Sequence, residues 1–316
     1  GGRRLVLVAT STSRLPPCST DRVLHVLHVP LVAPIDSFPS STLRTAAGPL
    51  VYTDVGRGAP IVFLHGNPTS ARLYRHLLPA LARSHRCIAP DYLGFGRSAA
   101  PRDFSYRPQA HATHVEQLLR ALGLTNLTLV LHDWGGPIGL AYALRHPGTV
   151  RRLVLLNTWA WPLTHRPLLQ AASRVLASPP GRLAVERGNA FARLVMPATT
   201  GASASLVPDW VHDYARALRT RPRRFACWRL ACALHDAADW LRALWTHRQR
   251  LRPQSALLCW GMADPAFGHE RCLRRWRETL HNAAVCRFPS VGHYVPEEKG
   301  PALVPLVQSF LDDHTA

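Results

Sequence analysis

Lysine is almost absent from this chain. Of 38 lysines and arginines only Lys299 is lysine, and with 19 acids the formal net charge of +19 is carried by arginine. Such a bias suits GC-rich coding as well as any selected contact. The arginines are spread out, with one denser stretch at Arg216, Arg219, Arg221, Arg223, Arg224 and Arg229. No nucleic-acid-binding motif accompanies it, so no specific nucleic-acid partner is expected; adhesion to polyanions at low salt needs only charge. Long apolar runs are missing too. Nothing approaches the roughly 18 residues that cross a bilayer, and Leu5–Ala9, behind Arg3 and Arg4, is too short for a signal-peptide core. A cytoplasmic protein without a membrane partner is the expectation. Seven cysteines (Cys18, Cys87, Cys227, Cys232, Cys259, Cys272, Cys286) include no C-x-x-C pair, which excludes zinc-ribbon and thioredoxin-like chemistry. Those within apolar segments, Cys87, Cys259 and Cys286, read as small buried hydrophobes. The pairs His25/His28 and His111/His114 lack an H-E-x-x-H frame or matching carboxylates, so no metal is expected.

What is present is an alternation of strand and helix patterns. Its 316 residues, 47% of them hydrophobic, are enough for one α/β domain with an insertion. Strands are expected at Leu50–Val55, Ile61–Leu64, Arg86–Ala89, Leu127–His132, Arg152–Asn157, Ser255–Trp260 and Ala283–Phe288. Helices are expected near Ala71–Ala82, His111–Leu124, Gly136–Arg145, Glu270–Leu280 and Ala302–Leu311. This order predicts a mostly parallel sheet flanked by helices. Residues 158–254 show no strand pattern, and Trp210, Trp228, Trp240 and Trp245 recur among helical stretches, as in a helical cap; most of these tryptophans would be ordinary core. The division is therefore an extension of unknown structure at 1–40, a core domain at 41–157 and 255–316, and a cap at 158–254, with organised structure beginning near Gly48.

The most informative segment is Leu131-His132-Asp133-Trp134-Gly135-Gly136, at the end of an apolar run. It reads as a nucleophile elbow, a sharp strand-to-helix turn, carrying an aspartate in place of serine. Gly135 and Gly136 give the closeness such a turn needs, whereas Leu131 stands where glycine is often found. An aspartate is ionised near pH 7 and needs no base for its first attack. It is a poor nucleophile toward amides but can displace a good leaving group at saturated carbon, which points toward carbon–halogen or epoxide opening. Taken alone, Asp133 could equally be a helix N-cap.

Three further segments would meet the elbow at the strand carboxyl ends: His65-Gly66-Asn67-Pro68, Gly261-Met262-Ala263-Asp264 and Gly292-His293-Tyr294. Nucleophile, acid and histidine then follow in α/β-hydrolase order. With Asp91-Tyr92-Leu93-Gly94-Phe95-Gly96-Arg97-Ser98, these motifs resemble the haloalkane dehalogenases of the α/β-hydrolase superfamily, from about Gly48 to the C-terminus. Asn157 stands where one subfamily keeps a glutamate, so the pattern Asp133, His293, Asp264 with Asn67 and Trp134 is similar to the subfamily called type III.

The resemblance implies an α/β-hydrolase fold with a helical cap, no cofactor beyond water as co-substrate, and a halogenated organic substrate that yields a halide ion. Asp133 would form an alkyl ester, His293 would activate water against it, and Asp264 would orient His293. The Trp134 indole and the Asn67 amide would hold the departing halide, and backbone N–H groups of Trp134 and Asn67 would serve the ester hydrolysis. His65 and His132 would hold loops. Epoxide hydrolases share the aspartate but pair two cap tyrosines, and Tyr214 is the only tyrosine between Thr158 and Gln254. A cofactor-independent, luciferase-like oxygenase on the same fold is the remaining enzymatic alternative.

Overall fold

Segments that are apolar at nearly every position need cover on both faces, and the computed structural model shows how Leu127–Leu131 and Leu153–Leu156 obtain it. The structure describes residues 38–201 and 207–313. Cys18, the His25/His28 pair and all but the last three residues of the expected extension lie outside the described residues. Strands β1 (Ser40–Thr45), β2 (Gly48–Val55), β3 (Pro60–Leu64), β4 (Arg86–Pro90), β5 (Leu127–Asp133), β6 (Val150–Thr158), β7 (Ser255–Gly261) and β8 (Ala284–Phe288) form one eight-stranded sheet. Its order is β1-β2-β4-β3-β5-β6-β7-β8. The pairs β1–β2 and β2–β4 are antiparallel, and all others are parallel. Chain order reverses between β3 and β5, which opens a crevice at their carboxyl ends.

The helices are, in chain order, α1 (Leu78–Leu81), α2 (Pro108–Ala121), α3 (Gly135–Arg145), α4 (Pro167–Ala177), α5 (Pro179–Gly188), α6 (Met196–Thr199), α7 (Asp209–Ala217), α8 (Arg221–Asp236), α9 (Ala238–Thr246), α10 (Glu270–Arg277), α11 (Val295–Glu298) and α12 (Leu303–Asp312). The strand period of two sorts the core. Val62, Leu64, Leu129 and Leu131 point to one layer with α2, α3 and α10; Ile61, Phe63 and Val130 point to the other with α1 and α12. α4 to α9 occupy the inserted stretch. α9 is tied to the core by Trp245 packing edge-on against Trp161 and Trp276, with ring centroids 4.8 and 5.6 Å apart.

Three expectations are corrected. The helix near Ala71–Ala82 is instead a 3-10 turn (Ala71–Tyr74) and the short α1, because Pro79 has no N–H to continue the ladder. α2 begins at Pro108 and ends at Ala121, since Gly123 turns left-handed at φ +60°. Organised structure starts before Gly48: β1 is a largely exposed edge strand whose sequence carries no apolar alternation. The six described cysteines are all buried, and none forms a disulfide among the described residues.

The elbow depends on small residues. A Cβ on Gly135 would stand 2.0 Å from the Leu64 carbonyl oxygen, and one on Gly136 would stand 1.8 Å from Thr158 Oγ1. Gly139 lies against the Leu131 side chain, which leaves room for a leucine where a glycine is usual. Gly148, by contrast, has φ +86° and open space around it. Gly135→Ala should therefore cost about 3 kcal/mol or more through a backbone clash, and Gly148→Ala only about 1–2 kcal/mol through left-handed strain. Urea unfolding of both variants measures the difference, and equal losses would contradict the tight elbow.

Candidate active site

β5 delivers Asp133 to the crevice at φ +50°, a left-handed conformation rare for a non-glycine residue. The next residue, Trp134, is already helical at φ −58°, and α3 begins at Gly135. The strain of about 1–2 kcal/mol is offset by partners on both sides. The Thr158 hydroxyl donates to the Asp133 carbonyl oxygen at 2.6 Å, and the Asn67 backbone N–H donates to Asp133 Oδ1 at 2.8 Å. Gly66 lets the β3 loop come this close, since a Cβ there would lie 2.2 Å from Asp133 Oδ1.

The other carboxylate oxygen, Asp133 Oδ2, faces His293 Nε2 at 3.4 Å. His293 Nδ1 donates to Asp264 Oδ2 at 2.8 Å. All three residues are buried. Asp264 is itself fixed: Asn157 Nδ2 donates to its Oδ2 at 2.8 Å, and the Ala266 N–H donates to its Oδ1 at 2.7 Å. Asn157 also binds both backbone groups of Gly261, accepting from the N–H at 2.7 Å and donating to the carbonyl at 2.9 Å. Asn157, neutral where an acid could stand, is thus a clamp, at φ +35°, on the acid that follows the neighbouring strand β7.

Electrostatically the centre is one imidazole between two carboxylates. Burial opposes charge on His293, but Asp264 and the contacts with both carboxylates outweigh it and raise its pKa from 6.5 to about 10. Burial likewise opposes charge on Asp264, yet His293 and the donated hydrogen bonds hold its carboxyl below the ordinary range. His132 and His65 show what burial does without such partners, since both fall to about 4. They are scaffold. His132 Nε2 donates to the His293 carbonyl at 2.9 Å; His65 Nδ1 donates to the Gly66 carbonyl at 2.9 Å and its Nε2 accepts from the Tyr92 N–H at 3.0 Å.

Asn67 and Trp134 stand beside this centre. Asn67 Nδ2 donates one proton to the Cys227 carbonyl of α8 at 3.1 Å, and its second amide proton remains for a ligand. The buried Trp134 indole packs edge-on against Trp159 at 4.8 Å, and Trp159 stacks on Phe267 at 4.5 Å and 11°. The Trp159 indole N–H is buried and has no partner among the described residues.

The sequence did not reveal how the cap is fastened here. Glu298 accepts from the N–H groups of Gly292 (2.8 Å), Tyr294 (3.0 Å) and Gly201 (2.9 Å), while the His293 N–H donates to the Thr199 carbonyl at 2.8 Å. One carboxylate therefore joins the histidine loop to the cap. Tyr214, the lone cap tyrosine, donates its hydroxyl to Glu297 at 2.7 Å, and Arg75 pairs with the same carboxylate. The Asp91–Ser98 loop braces the other side: Asp91 accepts from the Ala71 N–H at 2.8 Å and from Arg97 Nε at 2.9 Å.

His293 should carry its proton to about pH 10 in the free protein. Because its folded pKa exceeds the ordinary 6.5, its contribution to stability is complete below pH 6.5 and is lost as pH rises through 10. Asp264→Asn removes the main counter-charge, so the ring should titrate at lower pH and the alkaline loss of stability should shrink. Histidine NMR titration with unfolding curves across pH 6–11 checks both; a wild-type ring titrating near its ordinary value would contradict the two-carboxylate geometry.

Known proteins are similar to this chain over most of its length. The α/beta hydrolase fold family model matches residues 59–300. The chain is 35% identical over 272 residues to haloalkane dehalogenase 2 of Mycobacterium tuberculosis, covering 83% of this chain and 91% of that protein. It is 32% identical over 274 residues to the cis-3-alkyl-4-alkyloxetan-2-one decarboxylase of Shewanella oneidensis, covering 84% and 85%. Among solved structures, the haloalkane dehalogenase DatA of Agrobacterium tumefaciens superimposes with a TM-score of 0.76 at 26% identity, over 87% of this chain and 96% of that one. An eight-stranded α/β sheet, an aspartate-bearing elbow and this likeness lead to one assignment: the chain belongs to the α/β hydrolase fold, within the haloalkane dehalogenase family.

Proposed function

We propose that this protein hydrolyses carbon–halogen bonds of haloalkanes to an alcohol and a halide ion, with Asp133 as nucleophile. The observation that carries the reading is the division of labour between the two Asp133 oxygens. Oδ1 is held by the Asn67 N–H at 2.8 Å, whereas Oδ2 has the looser 3.4 Å contact with His293 Nε2 and is the oxygen left to attack. In the first step the Oδ2–carbon bond forms as the carbon–halogen bond breaks. The halide takes the electron pair and is received by neutral donors, the Trp134 indole and the remaining Asn67 amide proton. Residues 41–157 and 255–316 supply this chemistry, and the 158–254 cap closes over it and selects the substrate.

Forming the ester removes the negative charge of Asp133. His293 then keeps only Asp264 as counter-charge, so its pKa drops from about 10; the ring gives its resting proton to solvent as the halide leaves, and the neutral ring takes a proton from water and later returns it to the departing alkoxide oxygen. The histidine becomes a base only after the step that needs it has been prepared. Water attacks the Asp133 carbonyl carbon, the developing oxyanion stays on the Asn67 N–H, and collapse releases the alcohol. One water oxygen ends in the Asp133 carboxylate. Water is the only co-substrate, and no cofactor enters any step. The placement with the type III subfamily rests on the same Asn67, Trp134 and Asp264 set.

The oxetanone-decarboxylase relatives favour a second reading on the same residues. Asp133 would attack the alkyl-bearing C4 of the lactone, breaking the C4–O bond and releasing the C3 carboxylate. Loss of carbon dioxide would then form the alkene as the ester bond to Asp133 breaks, with no water consumed. An epoxide-opening role is not favoured, since the Tyr214 hydroxyl is engaged by Glu297.

Bromide release from 1,2-dibromoethane and 1-bromobutane tests the first reading. Wild type should turn over steadily, Asp133→Ala should be inactive, and His293→Phe should give one equivalent of bromide and a trapped ester. Trp134→Phe should lose about 10²-fold in kcat/KM, as expected when one donor to a developing anion is removed. If folded wild type releases no bromide but converts a cis-dialkyl oxetan-2-one to alkene and carbon dioxide, the second reading replaces the first.

A further inference from the structure

Helix α4 exposes more apolar surface than a helix packed on a domain in water usually does. Its uncharged polar residues face inward beside the half-buried Leu169 and Leu176. Ser173 is buried and donates to the Ala231 carbonyl at 3.0 Å, and the buried Gln170 donates to the Leu234 carbonyl at 3.0 Å, both on α8. Its outward positions are Leu168, Ala171, Ala172 and Val175, spaced i, i+3, i+4 and i+7, which is one continuous helical stripe. Leu168 is 86% exposed and Val175 67%. The neighbouring α5 adds Leu183 at 50%, and Leu194, shortly after it, is 67% exposed. With Val207, these are all the exposed large hydrophobic residues among the described residues, and all lie in the cap.

The charges around the stripe have one sign. Arg174, Arg182, Arg187 and Arg193 are exposed. The only acid between Trp159 and Gly201 is Glu186, which is buried and paired with Arg182 and Arg221. An apolar face whose own exposed charges, along α4 and α5, are all arginine does not suit a second copy of itself. Two such faces would set arginine against arginine in a chain of net charge +19. It does suit a surface that offers hydrocarbon beneath a layer of negative charge.

We propose that the outer face of α4 and α5 is a docking surface for an anionic phospholipid membrane. Leu168, Val175 and Leu183 enter the boundary between headgroup and acyl chain, and Arg174, Arg187 and Arg193 pair with headgroup phosphates. No helix among the described residues is long and apolar enough to cross a membrane, and the contact proposed is interfacial. It places the cap, whose helix α8 holds Asn67 through Cys227, against the phase in which lipophilic molecules collect. The inference stands apart from the reaction proposed above and is tested without it.

The test measures partitioning of the full chain onto vesicles of phosphatidylglycerol mixed with phosphatidylcholine, and onto phosphatidylcholine alone, at 0.15 M salt. The informative variant is Leu168→Ser/Val175→Ser/Leu183→Ser, which leaves every charge in place and alters only exposed side chains. An unchanged melting transition confirms that it folds. Wild type should bind the anionic vesicles and not the neutral ones, and the triple variant should bind them at least tenfold more weakly. Equal binding of wild type and variant would overturn the proposal, leaving adhesion by net charge. It would be overturned as well if wild type sediments as a dimer that the variant dissociates, since a second copy would then cover the stripe.

Discussion

The site depends on the backbone of one residue. Asp133 has to leave β5 in a left-handed conformation so that its side chain rises above the sheet while the chain drops at once into α3. Nothing local favours that turn for an aspartate. It persists because the surroundings over-determine it: Thr158 holds its carbonyl, Asn67 holds its carboxylate, and Gly66, Gly135 and Gly136 let three chain segments close to within a Cβ's width. Enlarging any of those glycines would move the carboxylate as well as loosen the fold. Rigidity at the elbow is thus the condition for everything the carboxylate does.

Around that fixed point the electrostatics are arranged in layers. Two carboxylates share one imidazolium, and the second is immobilised by Asn157, which also grips Gly261 at the end of β7. The shared charge makes the resting centre stable although buried, because each ion has its partner. In the proposed reaction the same balance sets the order of steps, since esterifying Asp133 would leave the imidazole with half its counter-charge.

The arginine excess has a structural side. The dense stretch in the cap is largely engaged: Arg221 and Arg224 bind Glu186, Arg223 binds the Ser98 carbonyl, and Arg229 lies over the Trp228 ring. Arg72 and Arg75 reach from the core to Asp213 and Glu297. Exposed pairs of this kind contribute little singly, but the buried Glu186 and Glu297 would be stranded without them. What remains unpaired by acid, on the outer face of α4 and α5, is the part that gives the cap its character toward solvent.

The succession of strands β2 to β8 and the elbow are legible in the chain, because they rest on local patterns: apolar runs and glycines beside a turn. The motifs after the strands also single out Asp133, Asp264, His293, Asn67 and Trp134 as candidates, which the structure brings to one crevice. Pro79 and Gly123 break helices that periodicity alone would extend. β1 is not legible, since a largely exposed edge strand with only Leu43 packed on the core carries no apolar alternation. Nor could the chain alone show that Asn157 clamps Asp264, that Glu298 joins the histidine loop to Thr199–Gly201, or that Asn67 leans on the carbonyl of Cys227. Those contacts join residues from 97 to 160 positions apart. The contacts of Glu298 and Asn67 end on backbone groups that every residue possesses, and that of Asn157 joins side chains at the ends of two different strands, so no local pattern announces them. The sequence by itself determined the alternation that builds the sheet and the candidate side chains that follow its strands; only the tertiary structure decided their distances and their charge, because both depend on what is buried beside them.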